Sequence, residues 1–289
     1  MEFFWPLLVL RWLQLGSLLI LFGASLFVFY DGRWPGDTRT YRRLASLALV
    51  TGCCWLLVSL ADMVDGVAGL ASTATWHTFF FATGFGRVWV VRFALLLALI
   101  VYAFLAAPSK GKSLAICSLS AALLIGTAWL GHAAAAQGFE WLASLASYAC
   151  HVLGAGAWLG GLVPLSQRLW RDGEIANLRA SLERFSRMGM TVVVLIVASG
   201  MVNAYLRSVS SEALVATSYG NVLAVKLALF GLLIGVAASN RWVFLRRLRR
   251  NPEVPEALHA LQRSVVLEQV LGAGIVAAAV ALGSMPPGE

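Results

Sequence analysis

Charge is scarce in this chain. Only 12% of its 289 residues are Asp, Glu, Lys or Arg, against roughly a quarter in a soluble domain. Hydrophobic residues reach 60% and the mean hydropathy is +0.79. This balance excludes a water-soluble enzyme and a disordered chain. Sulfur and imidazole are also few. The four cysteines, Cys53, Cys54, Cys117 and Cys150, sit in apolar stretches without CxxC spacing. Neither a disulfide scaffold nor a thiolate zinc site is implied. No GxSxG, HExxH or GxxxxGK[ST] pattern occurs, so nothing points to a hydrolytic nucleophile or to a nucleotide-driven pump. The chain does not read as an enzyme.

What is there is long apolar sequence. Eight segments stand out, at about 5–30, 44–65, 86–107, 113–135, 141–165, 185–207, 220–244 and 261–284. A bilayer core takes about 20 apolar residues per helix. The expected fold is therefore all-α, a polytopic bundle of eight transmembrane helices in one membrane domain, 1–289. The opening MEFFWPLLVLR lacks a basic n-region and a small-residue cleavage site. It reads as the start of a helix rather than a signal peptide.

Basic residues fall in alternate connections. Arg33, Arg39, Arg42 and Arg43 follow the first segment, Lys110 and Lys112 the third, and Arg168, Arg171, Arg179 and Arg184 the fifth. Arg241, Arg246, Arg247, Arg249 and Arg250 follow the seventh. The connections 66–85, 132–140 and 208–219 hold none. By the positive-inside rule both termini lie outside. The net charge of +8 is then a surface facing anionic lipid and calls for no nucleic acid.

The halves 1–138 and 139–289 resemble one another. The stretch from Thr83 matches that from Thr217, through Thr83/Thr217, Gly86/Gly220, Val88/Val222 and Ala94/Ala228, with Arg92 opposite Lys226. A weaker echo sets Gln14 over His151, Gly23 over Gly160 and His132 over Ser284. Four spans per unit give both units one orientation, a parallel repeat.

Few residues can carry chemistry. Of the histidines, His259 reads as a headgroup residue and His77 as interfacial. His151 lies about ten residues into its helix, roughly 15 Å deep, where ionisable groups are usually functional. His132 ends the preceding helix, so both histidines can face one outward cleft. Met63, Met201 and Met285 fall at the outer helix ends, and Cys150 precedes His151. Imidazole with soft sulfur suits Cu(I) better than Zn, Mg or Ca. Two readings stay open beside a copper site. Intramembrane histidines can ligate haem b, with Arg11, Arg92 and Lys226 balancing its propionates. Small residues such as Gly154, Gly156, Gly160 and Gly161 also suit docking of a partner helix, and the oligomeric state is open.

HisValLeuGlyAlaGlyAlaTrpLeuGlyGlyLeuValProLeu at 151–165 resembles the signature helix of the bacterial copper-resistance membrane proteins of the CopD family. GlyHisAlaAlaAla at 131–135, ThrSerTyrGlyAsnValLeuAlaValLys at 217–226 and SerGlyMetValAsnAla at 199–204 fit the same pattern. The resemblance implies copper transport or homeostasis at the inner membrane, with both termini periplasmic, beside a periplasmic CopC-like copper carrier. It marks His132 and His151 as copper ligands and Trp158 as shaping the helix contact. The family's first helix often carries a histidine where this chain has Gln14. On the repeat, the second half would own the working site.

Overall fold

The computed structural model describes residues 3–32, 36–64, 66–130, 138–171, 175–206, 217–244 and 255–285. Among them, eight helices are long and apolar enough to cross a membrane. These are α1 (Phe4–Asp31), α2 (Thr38–Met63), α3 (Gly84–Leu105), α4 (Lys110–Leu130), α5 (Glu140–Arg171), α6 (Asn177–Leu206), α7 (Ser218–Val243) and α8 (Leu258–Leu282). The protein is an all-α multi-pass membrane bundle.

Hydroxyl and carboxylate caps start several helices. The Asp37 carboxylate accepts from the Arg39 backbone N–H (2.9 Å) and the Thr40 hydroxyl (2.8 Å) at the start of α2. Ser109 accepts from the Lys112 N–H at α4. Thr83 accepts from the Gly86 N–H (2.9 Å) at α3, and Thr217 from the Gly220 N–H (3.1 Å) at α7. Each cap satisfies a backbone donor that the helix itself cannot. Gly32, at φ +70°, lets the chain leave α1 in the left-handed region.

α1 and α5 are the most buried helices. They meet with almost nothing between their backbones. A Cβ on Gly160 would stand 2.1 Å from the Leu19 carbonyl oxygen, and one on Gly23 would stand 2.2 Å from that of Gly156. Only glycine allows this approach, the device membrane helices use where apolar burial against lipid supplies little drive. α5 carries a π-helical turn at Gly156–Gly160 and then Pro164. A proline at 164 offers no N–H to the Gly160 carbonyl, so the wide turn falls where the regular ladder is already interrupted.

Around this pair, α1 packs against α2, α4 and α8, and α5 against α4, α6 and α8. α3 sits between α2 and α4, whereas α7 leans on α8 and reaches α5 through the Phe230–Trp158 ring contact at 6.3 Å. At the end bearing the basic connections, buried Asp31 of α1 pairs with Arg168 of α5 and, at 3.3 Å, with Arg184 of α6. Arg168 also donates to the Ser181 hydroxyl at 2.8 Å. This cluster ties α1, α5 and α6 together.

The connection 66–85 is more ordered than a simple loop. It holds short helical pieces at Val67–Ala71, Thr73–His77 and Thr78–Ala82. Phe79 from it is buried with Trp55 and Trp89 in a separate aromatic core.

Candidate functional site

His151 stands on α5 facing α6. Its Nδ1 lies 3.1 Å from the Ile196 carbonyl and 3.2 Å from the Ser199 hydroxyl. A carbonyl only accepts, so Nδ1 carries the proton in that bond, and in the neutral imidazole the lone pair is then on Nε2. Metal-ligating histidines are held in this manner, the second ring nitrogen donating to a backbone carbonyl. Ser199 in turn donates to the Leu195 carbonyl at 2.5 Å. The Ser147 hydroxyl, on α5, donates to the Ser199 carbonyl at 3.0 Å. Gly200 lies against the ring, where a Cβ would stand in ordinary contact at 3.5 Å from His151 Cε1.

Gln14, on α1, faces α2 in a similar contact. Its Nε2 lies 3.5 Å from the Ala48 carbonyl, the long end of a hydrogen bond. Gly52 gives it space, as a Cβ there would lie 2.8 Å from Nε2. Thr51 donates back to Leu47 at 2.7 Å. The local pattern on α2 is therefore a carbonyl at 48, a hydroxyl at 51 and a glycine at 52. On α6 it is a carbonyl at 196, a hydroxyl at 199 and a glycine at 200. The sequences LeuAlaLeuValThrGly (47–52) and LeuIleValAlaSerGly (195–200) carry the same signal. It was readable without coordinates and adds two hydroxyls, Thr51 and Ser199, to the site residues.

The remaining sequence candidates differ in burial. Met63 and Met201 are exposed, at 58% and 69%. Cys150 is exposed, while Met285 and Lys226 are half-buried. Trp158 is buried at the α1–α5 crossing. His132 lies outside the described residues. Among the described residues, no group of three or more His, Cys, Asp or Glu is placed to hold a metal ion.

Arg92 is only 1% exposed. One guanidinium nitrogen donates to the Leu123 carbonyl at 3.1 Å. Its Cζ stands 5.6 Å from the Trp55 ring centroid and 5.5 Å from that of Trp89. Arg11 lies on the same Trp55 ring, at 5.5 Å, and donates to the Ser284 hydroxyl at 2.8 Å. Indole faces attract such cations, more strongly when water is excluded. Two open grooves, about 630 and 710 Å³, run along α8 and between α7 and α8. Neither is lined by His151, Gln14 or Arg92.

Comparison with known proteins gives this arrangement a family. The chain is 31% identical over 281 residues to copper resistance protein D of Pseudomonas syringae pv. tomato, covering 90% of this chain and 89% of that protein. The chain belongs to the copper resistance protein D family. The family's "Copper resistance protein D-like, N-terminal domain" matches residues 1–143, and "Copper resistance protein D" matches 179–282. The inner membrane protein YebZ of Escherichia coli is 28% identical, over 85% of this chain and 87% of that protein. The copper transport protein CutJ of Bacillus subtilis is 28% identical over 71% of this chain, which spans 38% of that longer protein. His151 and Trp158 lie between the two matched family ranges. Two of these relatives are named for copper and one for the inner membrane, and the chain is a copper-related membrane protein.

Proposed function

We propose that the protein is an inner-membrane copper transport and homeostasis protein. It takes Cu(I) from the periplasmic face and imports it through an intramembrane His/Met site. The basic connections face the cytoplasm, and both termini face the periplasm. His151 presents Nε2 as the central ligand. His132 and the thioethers of Met63, Met201 and Met285 supply the approach from outside, where a CopC-like carrier delivers the ion. The two halves form a parallel repeat of four helices each, with Gln14 in the first half as the counterpart of His151. The observation that carries the reading is the fixed imidazole of His151, held through Nδ1 by the Ile196 carbonyl, in a chain whose relatives are named for copper resistance and copper transport.

The test is copper per protein by elemental analysis. Wild type and His151→Ala are purified in detergent after equal exposure to Cu(I). Bound copper in the wild type that is lost in the variant is the expected result. Equal copper in both removes His151 from the site, and copper in neither removes the intramembrane site altogether.

A further inference from the structure

Glu268 is an acid at membrane depth. It lies on α8 about ten residues beyond Leu258, roughly 15 Å along the helix, and is 3% exposed. The ion pairs among the described residues do not include it. Its neighbours are neutral. Asn240 Nδ2 donates to Oε1 at 2.5 Å, and the Trp158 indole N–H is hydrogen-bonded to the same carboxyl. Both partners sit on π-helical turns, Gly156–Gly160 of α5 and Asn240–Phe244 at the end of α7. Such turns recur at functional sites.

Asn240 supplies the deciding observation. Its Oδ1 is buried and has no hydrogen-bond partner. A carboxylate can only accept, so an ionised Glu268 leaves that oxygen orphaned beside a like partial charge. A neutral carboxyl resolves both problems. The neutral acid has an O–H to offer Asn240 Oδ1 while Oε1 still accepts from Nδ2. An ionised carboxyl held here without a countercharge would be costly.

The charged groups of the neighbouring helices are engaged elsewhere or distant along their chains. Arg241 donates to the Ser186 hydroxyl of α6 at 2.6 Å, and Arg11 to Ser284. Arg168 pairs with Asp31. Lys226 and His151 lie turns away from Asn240 and Trp158 along α7 and α5 respectively, and Arg263 lies toward the basic end of α8.

We infer that Glu268, with Asn240 and Trp158, forms a proton-binding site within the membrane. The carboxyl is neutral at rest. It releases its proton as Glu–COOH → Glu–COO⁻ + H⁺, to water at the basic face. The groove of about 710 Å³ lined by Ser239, Ser264 and Leu267 runs one residue from both Asn240 and Glu268. Losing the proton sets the carboxylate against Asn240 Oδ1 and loosens the α7–α8 contact. On the copper reading above, H⁺ and Cu(I) carry equal charge, so the site would exchange one for the other without net charge movement.

Infrared spectroscopy of the purified full-length protein tests the site. The expected result is a protonated-carboxyl carbonyl band at neutral pH that shifts in D₂O, vanishes at alkaline pH and is lost in Glu268→Gln. A band unchanged in the variant, or no band in the wild type, overturns the inference. Should the variant fail to fold, wild type treated with a lipophilic carbodiimide decides. An adduct at Glu268 by peptide mass spectrometry supports the site, and an unmodified Glu268 overturns it. Exchange is read separately in vesicles loaded with a pH dye. Wild type should couple Cu(I) uptake to a pH change that Glu268→Gln loses. Copper uptake without a pH change overturns exchange and leaves the copper reading intact. No copper uptake overturns the copper reading, while the infrared band still decides the proton site.

Discussion

Gln14 and His151 make the same kind of contact, one on α1 and one on α5, and their difference separates scaffold from chemistry. Each projects from a central helix toward the carbonyl of the next helix, beside a helical hydroxyl and a glycine. The amide and the imidazole can both make that bond. Only the imidazole then has a ring nitrogen lone pair to offer a soft cation. The carbonyl contact alone is therefore not specific to a copper ligand; it becomes so only with the imidazole. It locks helix to helix in both halves, and on the proposed reading the second half uses the same lock to aim a ligand.

The largest effect expected from breaking this pairing is at the crossing where the halves touch. Gly160→Leu would drive a side chain into the Leu19 carbonyl, a backbone atom that cannot turn aside. Overpacking of a deformable core costs about 1–3 kcal/mol, and this site should exceed it. Folded, monodisperse protein after detergent extraction should be lost. Gly231→Ala is the contrast. A Cβ on Gly231 of α7 meets nothing within 4 Å, and alanine replaces the poorer helix former, so thermal stability should hold or rise by up to about 1 kcal/mol. Equal behaviour of the two variants would show that the α1–α5 contact is not what holds the halves together.

A smaller effect sharpens the ligand comparison. Ser199→Ala removes a hydroxyl from His151 Nδ1 without touching Nε2. Removal of a group that orients a metal ligand typically weakens binding about 10- to 100-fold. Cu(I) affinity by competition with a chromogenic chelator should fall by roughly tenfold, the low end, because the Ile196 carbonyl remains. Thr51→Ala, the same change beside Gln14, should leave affinity unchanged. A loss of affinity in both variants would place copper in both halves.

Much of the fold was legible in the sequence because lipid imposes one rule. Each span must be long, apolar and helical, and hydropathy alone locates eight of them. The places where reading fell short are those where charge or packing overrides hydropathy. α6 begins at Asn177, inside a stretch that its charges mark as a connection. Those charges sit at the basic end, with Arg179 bonded to Glu183 one turn on, where a helix can be polar. The connection 66–85 hides a buried Phe79, since a few aromatic contacts leave no periodicity. The site was half legible. His151 was visible as a rare residue at depth, and Trp158 through the family resemblance. Ser199 was readable only through its likeness to Thr51, and the roles of Ser199 and Asn240 come from the neighbours they touch, His151 and Glu268.

The smallest effect concerns the best-matched feature of the two halves. Thr83 and Thr217 cap α3 and α7 with the same bond, at 2.9 and 3.1 Å, to Gly86 and Gly220. Replacing such a cap by alanine costs about 1 kcal/mol. The surroundings differ, however. Thr83 also donates to the Phe79 carbonyl at 2.6 Å, anchoring the aromatic core of the first half, and Gly86 is pressed against that same residue. α7 is far less buried than α3. Thr83→Ala should therefore cost more than Thr217→Ala, because the bond it loses to Phe79 is one that the buried aromatic core rests on, worth about 1 kcal/mol. Urea-free thermal melts of the two variants in one detergent measure the gap. Identical losses would mean that the caps alone set helix stability and that the aromatic core adds nothing to the first half.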